Sequence, residues 1–349
     1  MAAFDSDAFD NHERVTFCHD QATGLKAIIA IHSTALGPAA GGCRLWHYES
    51  DDAALRDVLR LSQGMSYKNA MADLAFGGGK AVIIKDAGFQ GTDALYERFG
   101  DFVEKLGGDY VTAEDVGMTV PIMETIARRT TYVSGLPPEG GQAGGDPSPK
   151  TAYGVLKGIE AAVRFKLQRD TLQDVTVAVQ GVGNVGYHLC RYLQDAGATL
   201  LVADIDEGRV QRACDEFAAS PVALDDILFQ PVDVVAPCAL GAILSATSIA
   251  KLQTTIIAGG ANNQLATHAD GQRLYDAGIL YSPDYVINGG GIINVASEYY
   301  GGSNDSEVMA QVAAIGPRLY DIFEDAAKRQ LPTNEIADER ARKRIAAAG

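Results

Sequence analysis

Residues 175–204 read VTVAVQGVGNVGYHLCRYLQDAGATLLVAD, and this stretch decides the fold. An apolar run rich in valine, Val175–Gln180, leads straight into Gly181, Val182, Gly183, Asn184, Val185 and Gly186, and the helical pattern YHLCRYLQDAG follows. In such a strand–turn–helix the first glycine makes a tight turn, the second lets a pyrophosphate approach the backbone, and the third lets helix pack closely on strand. The phosphates then meet a helix N-terminus, where free N–H groups and the helix dipole favour an anion. A glycine pattern alone is weak evidence, but here both flanks have the required character. The next strand, TLLVAD, ends in Asp204, eighteen residues beyond Gly186. An acid at that point accepts hydrogen bonds from a ribose diol and repels a 2′-phosphate, which points to NAD over NADP. Asp206 and Glu207 add negative charge nearby, and Arg209 is expected to face solvent on the following helix.

Outward from this unit, Val232–Ala236 and Thr255–Ala258 are further short apolar or β-branched runs, separated by helical patterns. Strands alternating with helices predict an α/β fold with a doubly wound parallel sheet. On the N-terminal side, residues 135–149 (GLPPEGGQAGGDPSP) form a Gly/Pro linker that can neither continue a helix nor pair well in a sheet. Before it, Ala27–His32 reads as a strand, Asp51–Met71 as a helix, Gly77–Gly79 as a glycine run leading through Lys80 into a strand AVIIK, and Tyr110–Ala113 as a short strand. Leu95, Phe99, Phe102, Val103 and Leu106 mark another amphipathic helix. The expected division is an αβ domain over 1–134, completed by about residues 330–349, and the dinucleotide domain over 150–329. A helical segment over Ser306–Lys328 is expected to return and pack against the first domain.

Composition limits the partners. Net charge is −16 and the pI about 4.7, which argues against nucleic acid and anionic membranes, since phosphate affinity comes from Lys/Arg stripes. Five cysteines, an odd number with no CxxC pair, fit free thiols in a reducing cytosol. Six histidines show neither HxxH nor HExxH spacing, so no metal site is expected. The opening MAAFDSDAFDNHERV is unlike a signal peptide, and no apolar run approaches the ~18 residues of a membrane helix. The expectation is a cytoplasmic protein.

Two lysines in the N-terminal half lie near glycine-rich backbone, Lys68 in GMSYKNA and Lys80 in FGGGKAVII, and Asp115 follows a strand in TAEDVG. A lone lysine is more often a solvated surface charge, and an Asp after a strand more often a cap. The glycine run before Lys80 and the apolar strand after it are an unusual setting for a hydrated ammonium. Spacing alone does not bring the three together.

The stretches LGPAAGGCR, LRLSQGMSYKNA, FGGGKAVII, VTAEDVG, GDPSPKTAYGV, AVQGVGNVGYHLC, PCALGAIL, AGGANNQLA and YSPDYVINGGGIINVA, in this order, resemble the leucine/phenylalanine/valine dehydrogenases of the glutamate dehydrogenase superfamily over nearly the whole chain. The resemblance implies NAD-dependent oxidative deamination of an apolar L-amino acid to its 2-oxo acid and ammonia, with the site in a cleft that closes to exclude water. It implies Lys80 as general base toward water, Lys68 as partner of the substrate carboxylate with Gly41 and Gly42, and Asp115 as proton shuttle for the amino group. Asn262 and Asn288 would hold nicotinamide or substrate, Thr151 the carboxamide, and Cys238 and Ala239 the adenosine side. A lysine serves as such a base only when burial or a nearby cation makes its neutral form accessible.

Side-chain choice is implied for Ala40, Ala113, Ile292 and Val295, all apolar and without a cation for a second carboxylate. Leucine or another branched-chain amino acid is therefore the expected substrate. Phenylalanine is the rival if the volume at Ala40 stays open rather than being filled by Ile292. A rival of another class is a catalytically silent NAD-binding regulator, against which both lysines and Asp115 stand. A homo-oligomer is expected.

Overall fold

The computed structural model describes residues 3–137, 146–301 and 303–349. Two compact units emerge. The first contains residues 1–145, 295–305 and 341–349, the second 146–294 and 306–340. Residues 138–145 of the 135–149 linker lie outside the described residues, while Ser148 and Pro149 already open a helix.

In the first unit a five-stranded sheet runs β1 (Arg14–Asp20), β2 (Leu25–Ser33), β3 (Ala39–Trp46), β4 (Gly77–Ile84) and β5 (Tyr110–Ala113) in the spatial order β1-β2-β4-β3-β5. β1, β2 and β4 pair antiparallel, and β3 pairs parallel with both β4 and β5. One face is covered by α1 (Asp51–Met71), which starts where the Ser50 hydroxyl accepts from Ala53 N–H at 3.1 Å and Asp51 and Asp52 complement the dipole. Its stripe of Ala54, Leu55, Val58 and Leu59 packs on Ile28, Ala30 and Val82. On the other face α2 (Asp93–Glu104) brings Leu95, Phe99 and Val103, and α3 (Val120–Ala127) brings Met123 and Ile126, against Ile29, Ile31, Ala81 and Ile83.

The glycine run before Lys80 is not a lead-in to the strand but its first half. A side chain at Gly78 would enter the backbone and hydroxyl of Ser66, and one at Gly77 the Ser33 and Gly37 carbonyls. Glycine there lets α1 lie directly on the sheet. β1 and β3 also form where no strand was expected.

In the second unit β6 (Thr176–Gln180), β7 (Thr199–Ala203), β8 (Ser220–Pro221), β9 (Val234–Pro237), β10 (Ile256–Ile257) and β11 (Leu280–Tyr281) form one parallel sheet in the order β11-β10-β9-β6-β7-β8. β6 is flanked by β7 on one side and β9 on the other, so the chain reverses its winding direction there, the switch point where open α/β sheets bind ligands. Late in the chain two helices follow one another, α6 (Asp305–Ala313) and α7 (Ile315–Arg329). The helices α4 (Ser148–Leu167), α5 (Asn184–Asp195) and α7 pack together in this unit. Side chains at Gly154 and Gly158 would collide with Ile315 on one turn and Ile287 and Leu319 on the next, so α7 sits tightly on α4.

That packing corrects the expectation for Ser306–Lys328. The segment is helical as expected, in two helices, and α7 buries its apolar stripe in the second unit. The segments grouped with the first unit are 295–305 and 341–349, not the whole of 330–349.

Candidate active site

Within the first unit, β3, β4 and β5 place the expected residues side by side. Ala40 is in register with Gly78 on β4 and Val111 on β5, and Gly42 with Ala113. Side chains at Gly41 and Gly42 would strike the Gly79 carbonyl and Glu114–Asp115 respectively. Both glycines therefore permit strand and loop to close up around Asp115. The buried Asn69 of α1 donates through Nδ2 to the Gly77 carbonyl at 2.6 Å and the Ala40 carbonyl at 3.4 Å, fixing the helix to two of these strands. Tyr110 donates from its hydroxyl to the Gly41 carbonyl at 2.7 Å. Lys68 lies half-buried in the last turn of α1.

Lys80 is 6% exposed, and its Nζ stands 2.6 Å from Asp115 Oδ2. The same oxygen receives Arg44 Nε at 3.3 Å, while Arg44 Nη1 reaches Asp57 Oδ2 at 2.9 Å. Burial pushes the Asp115 carboxyl up, but Lys80 and Arg44 outweigh it and hold the group below the ordinary carboxylate range. Burial pushes the neighbouring Cys43 thiol well up, so it is no nucleophile. Arg44 and Asp57 were missed from sequence, although Arg44 closes the LGPAAGGCR stretch.

Ala40 packs against Phe76, Val111 and Ala296, with Leu74, Tyr132 and Tyr299 around them. Within the first unit these residues enclose Ala40. Ala113 is buried on β5, and Val295 is half-buried one residue before Ala296.

Within the second unit the glycine loop has the geometry its sequence required. Gly181 sits at φ +90°, where a side chain would press on Ala239, and one at Gly186 would enter the Gly181 carbonyl. Gly183 is different. A Cβ there meets nothing closer than Arg209 Nη1 at 3.5 Å. The start of α5 has no side-chain cap, so its first N–H groups border open space. This cradle fits a dinucleotide pyrophosphate. It opens into a cavity of about 340 Å³ lined by Val182, Gly183, Asn184, Tyr187, His188, Arg209 and Arg212. Arg209 is exposed on the following helix, as expected, and its guanidinium also borders the glycine loop. Asp204 is partly committed, its Oδ2 accepting Val182 N–H at 2.8 Å and its Oδ1 accepting Asp206 N–H at 3.0 Å.

Cys238 and Ala239 flank that loop, and burial pushes the Cys238 thiol up to about 11. Asn288 Nδ2 donates to Asn262 Oδ1 at 2.7 Å and to the Gly260 carbonyl at 3.2 Å. Asn288 Oδ1 and both amide atoms of the fully buried Asn294 have no hydrogen-bond partner. Such orphaned groups are costly unless a ligand or water meets them. Thr151 donates to the Pro147 carbonyl at 3.0 Å on α4 and lies beside Gly291, the residue before the half-buried Ile292.

Residues 12–132 match the family described as "Glu/Leu/Phe/Val dehydrogenase, dimerisation domain", and residues 140–210 and 202–349 match "Glutamate/Leucine/Phenylalanine/Valine dehydrogenase". The chain is 49% identical to a leucine dehydrogenase of Geobacillus stearothermophilus, over 96% of this chain and 91% of the relative. It is 41% identical to a phenylalanine dehydrogenase of Caldalkalibacillus thermarum, over 99% and 95%. The solved structure of an L-tryptophan dehydrogenase from Nostoc punctiforme superposes with a TM-score of 0.85 at 44% identity, covering 97% of both chains.

Proposed function

The chain belongs to the Glu/Leu/Phe/Val dehydrogenase family, and from that premise we propose that it oxidatively deaminates leucine and related branched-chain amino acids with NAD, reversibly. The observation that carries this reading is the Lys80–Asp115 pair at 2.6 Å beside the glycine-bearing ends of β3 and β4. A buried acid–base pair of this kind suits a reaction in which both an amino group and a water must be deprotonated.

Lys68 binds the substrate carboxylate, assisted by backbone at Gly41 and Gly42. Asp115 takes a proton from the substrate ammonium, giving the neutral amine from which hydride can leave Cα. NAD, when bound, accepts that hydride. Lys80 then removes a proton from the water that attacks the resulting iminium carbon; once Asp115 has returned its proton to nitrogen, the C–N bond breaks as the carbinolamine hydroxyl gives up its proton to solvent, releasing ammonia and the 2-oxo acid. Gly181–Gly186, flanked by Cys238 and Ala239, hold the pyrophosphate. Thr151 would hold the carboxamide, and Asn262 and Asn288 the nicotinamide or polar groups of the substrate. Asp204 meets the adenine ribose and favours NAD over NADP.

Preference for leucine is supported by the apolar Ala40, Ala113, Ile292 and Val295 and by the curated leucine dehydrogenases at 46–49% identity. A cytoplasmic homo-oligomer completes the reading. Among the described residues no helix is long and apolar enough to cross a membrane, and the matched N-terminal family is described as a dimerisation domain. The test is NADH formation from leucine and NAD by the purified chain, beside Lys80→Ala. Activity lost in the variant, with NADH still bound, is expected. Turnover near wild type in Lys80→Ala removes the lysine from the mechanism.

A further inference from the structure

Arg44 sits where the catalytic pair needs a charge that does not change. In the reaction above, Lys80 must become neutral to accept a proton from water. In the enzyme ready to receive substrate, Asp115 then lacks its closest counter-ion, and a half-buried carboxylate without one is costly. Arg44 touches the very oxygen that Lys80 touches, Asp115 Oδ2, at 3.3 Å against 2.6 Å. A guanidinium keeps its proton throughout. Arg44 is itself held from the far side. Asp57 on α1 accepts from Arg44 Nη1 at 2.9 Å and from the Tyr48 hydroxyl at 2.8 Å, and its other oxygen lies 3.1 Å from Arg60. The chain Tyr48–Asp57–Arg44–Asp115–Lys80 thus crosses from α1 to the end of β5 entirely inside the first unit.

We infer that Arg44 is a positioning residue for the reaction: before substrate binds it keeps Asp115 ionised and in place whichever form Lys80 adopts, and its fixed positive charge opposes the hold of Asp115 on the Lys80 proton. This rests on the assignment of Lys80 and Asp115 above.

Cys43 on β3, Tyr110 on β5 and Tyr48 also interact with the pair, and burial keeps all three protonated. Lys68 on α1 and Glu114 beside Asp115 are the remaining charged side chains on these elements nearest the pair in the chain. Arg44 differs from all of these in being a permanent cation in contact with Asp115.

Two substitutions that change charge in opposite senses test the inference through the pH dependence of kcat/KM for leucine oxidation. In Arg44→Gln, Asp115 draws on the Lys80 proton with no cation opposing it, so the acidic limb moves to higher pH by about 1 unit, with turnover recovering at alkaline pH. Arg44→Lys, which keeps the charge, restores part of the shift. Asp57→Asn leaves Arg44 less neutralised, and the limb moves to lower pH. Mere loosening of the site does not produce opposite shifts. Limbs unmoved in both variants, or moved the same way, overturn the inference. Should Arg44→Gln not fold, an unmoved limb in Asp57→Asn overturns it alone. Lys80→Ala separates the two failures: wild-type turnover there removes the assignment itself, whereas an inactive Lys80→Ala beside unmoved limbs removes only the role of Arg44.

Discussion

Lys80 Nζ and Asp115 Oδ2 stand 2.6 Å apart, and Arg44 shares the same carboxylate oxygen. The consequence is an asymmetry between the two ends of the pair. Removing Lys80 leaves Asp115 still opposed by Arg44. Removing the Asp115 charge leaves two cations facing each other in a low-dielectric pocket, the more expensive defect. Asp115→Asn is therefore expected to be less stable than Lys80→Ala, by about 2–3 kcal/mol at neutral pH. The Asp115 carboxyl is held below its ordinary value, so its contribution is fully present above the unfolded carboxylate pKa and lost as pH falls through the folded one. The gap between the variants should narrow in strong acid. Equal melting temperatures at pH 7 would show that Arg44 does not compensate Asp115.

A second pH dependence lies in the first unit, away from the catalytic pair. His12 Nε2 is 3.0 Å from both the Leu59 carbonyl and Ser62 Oγ, its ring is 4.9 Å from that of His32, and His32 Nδ1 is 2.7 Å from Ser66 Oγ. Burial is the largest influence on both and lowers both, His12 to about 4. The unfolded chain takes up these protons first, near pH 6.5. The stabilisation from neutral His12 is then complete above that pH and lost as pH falls through about 4, on the order of 3 kcal/mol in all. His12→Gln should melt lower at pH 7 yet lose less stability on acidification to pH 4. A slope as steep as wild type would place the acid sensitivity elsewhere.

The glycine loop was legible in sequence because its constraints are local. Gly181 needs its positive φ and Gly186 its bare Cα within a few residues of the strand they terminate. Lys80 stood out for a similar reason, a charge set between glycines and an apolar run. Strand β3 did not stand out, since AAGGCRLW carries no β-branched residue. It is a strand because it is paired on both edges and because glycine lets its neighbours approach. Arg44 was invisible because its partners lie 13 and 71 residues away. The stripe on α7 correctly announced a buried face. A stripe does not say what buries it, and here that is α4.

Asp204 carries two duties that a pair of substitutions separates. Its carboxylate anchors Val182 N–H in the loop, and in the proposed reading it also meets the ribose with negative charge. Asp204→Asn keeps an acceptor for Val182 and removes the charge, so it should mainly narrow the preference for NAD over NADP. Asp204→Ala removes both and should also raise KM for NAD. Initial rates with each cofactor decide this. A wild-type enzyme that already prefers NADP would contradict the role given to this strand end, and identical behaviour of the two variants would show that the Val182 anchor is dispensable.

In the proposed reading, substrate choice turns on position 40. Each methylene in an apolar pocket discriminates by only about 1–3 kcal/mol, so leucine, isoleucine and valine should all react, within about two orders of magnitude of one another. Phenylalanine depends on free volume at position 40. Ala40 is 2% exposed and already enclosed by Phe76, Val111 and Ala296, with Phe76 backed by Tyr299 and Tyr300 at 5.5 and 4.9 Å between ring centroids. An aromatic substrate would have to displace part of that packing, and overfilling a packed cluster costs about 1–3 kcal/mol. The ratio of kcat/KM for leucine over phenylalanine is therefore expected to exceed one in the wild type. Ala40→Leu adds bulk to the same cluster and should raise the ratio further, at some cost in stability readable from its melting temperature. A wild-type ratio below one would sink the leucine assignment. A ratio unchanged in Ala40→Leu, in a variant that still folds, would show that the cluster around Ala40 does not shape the side-chain pocket.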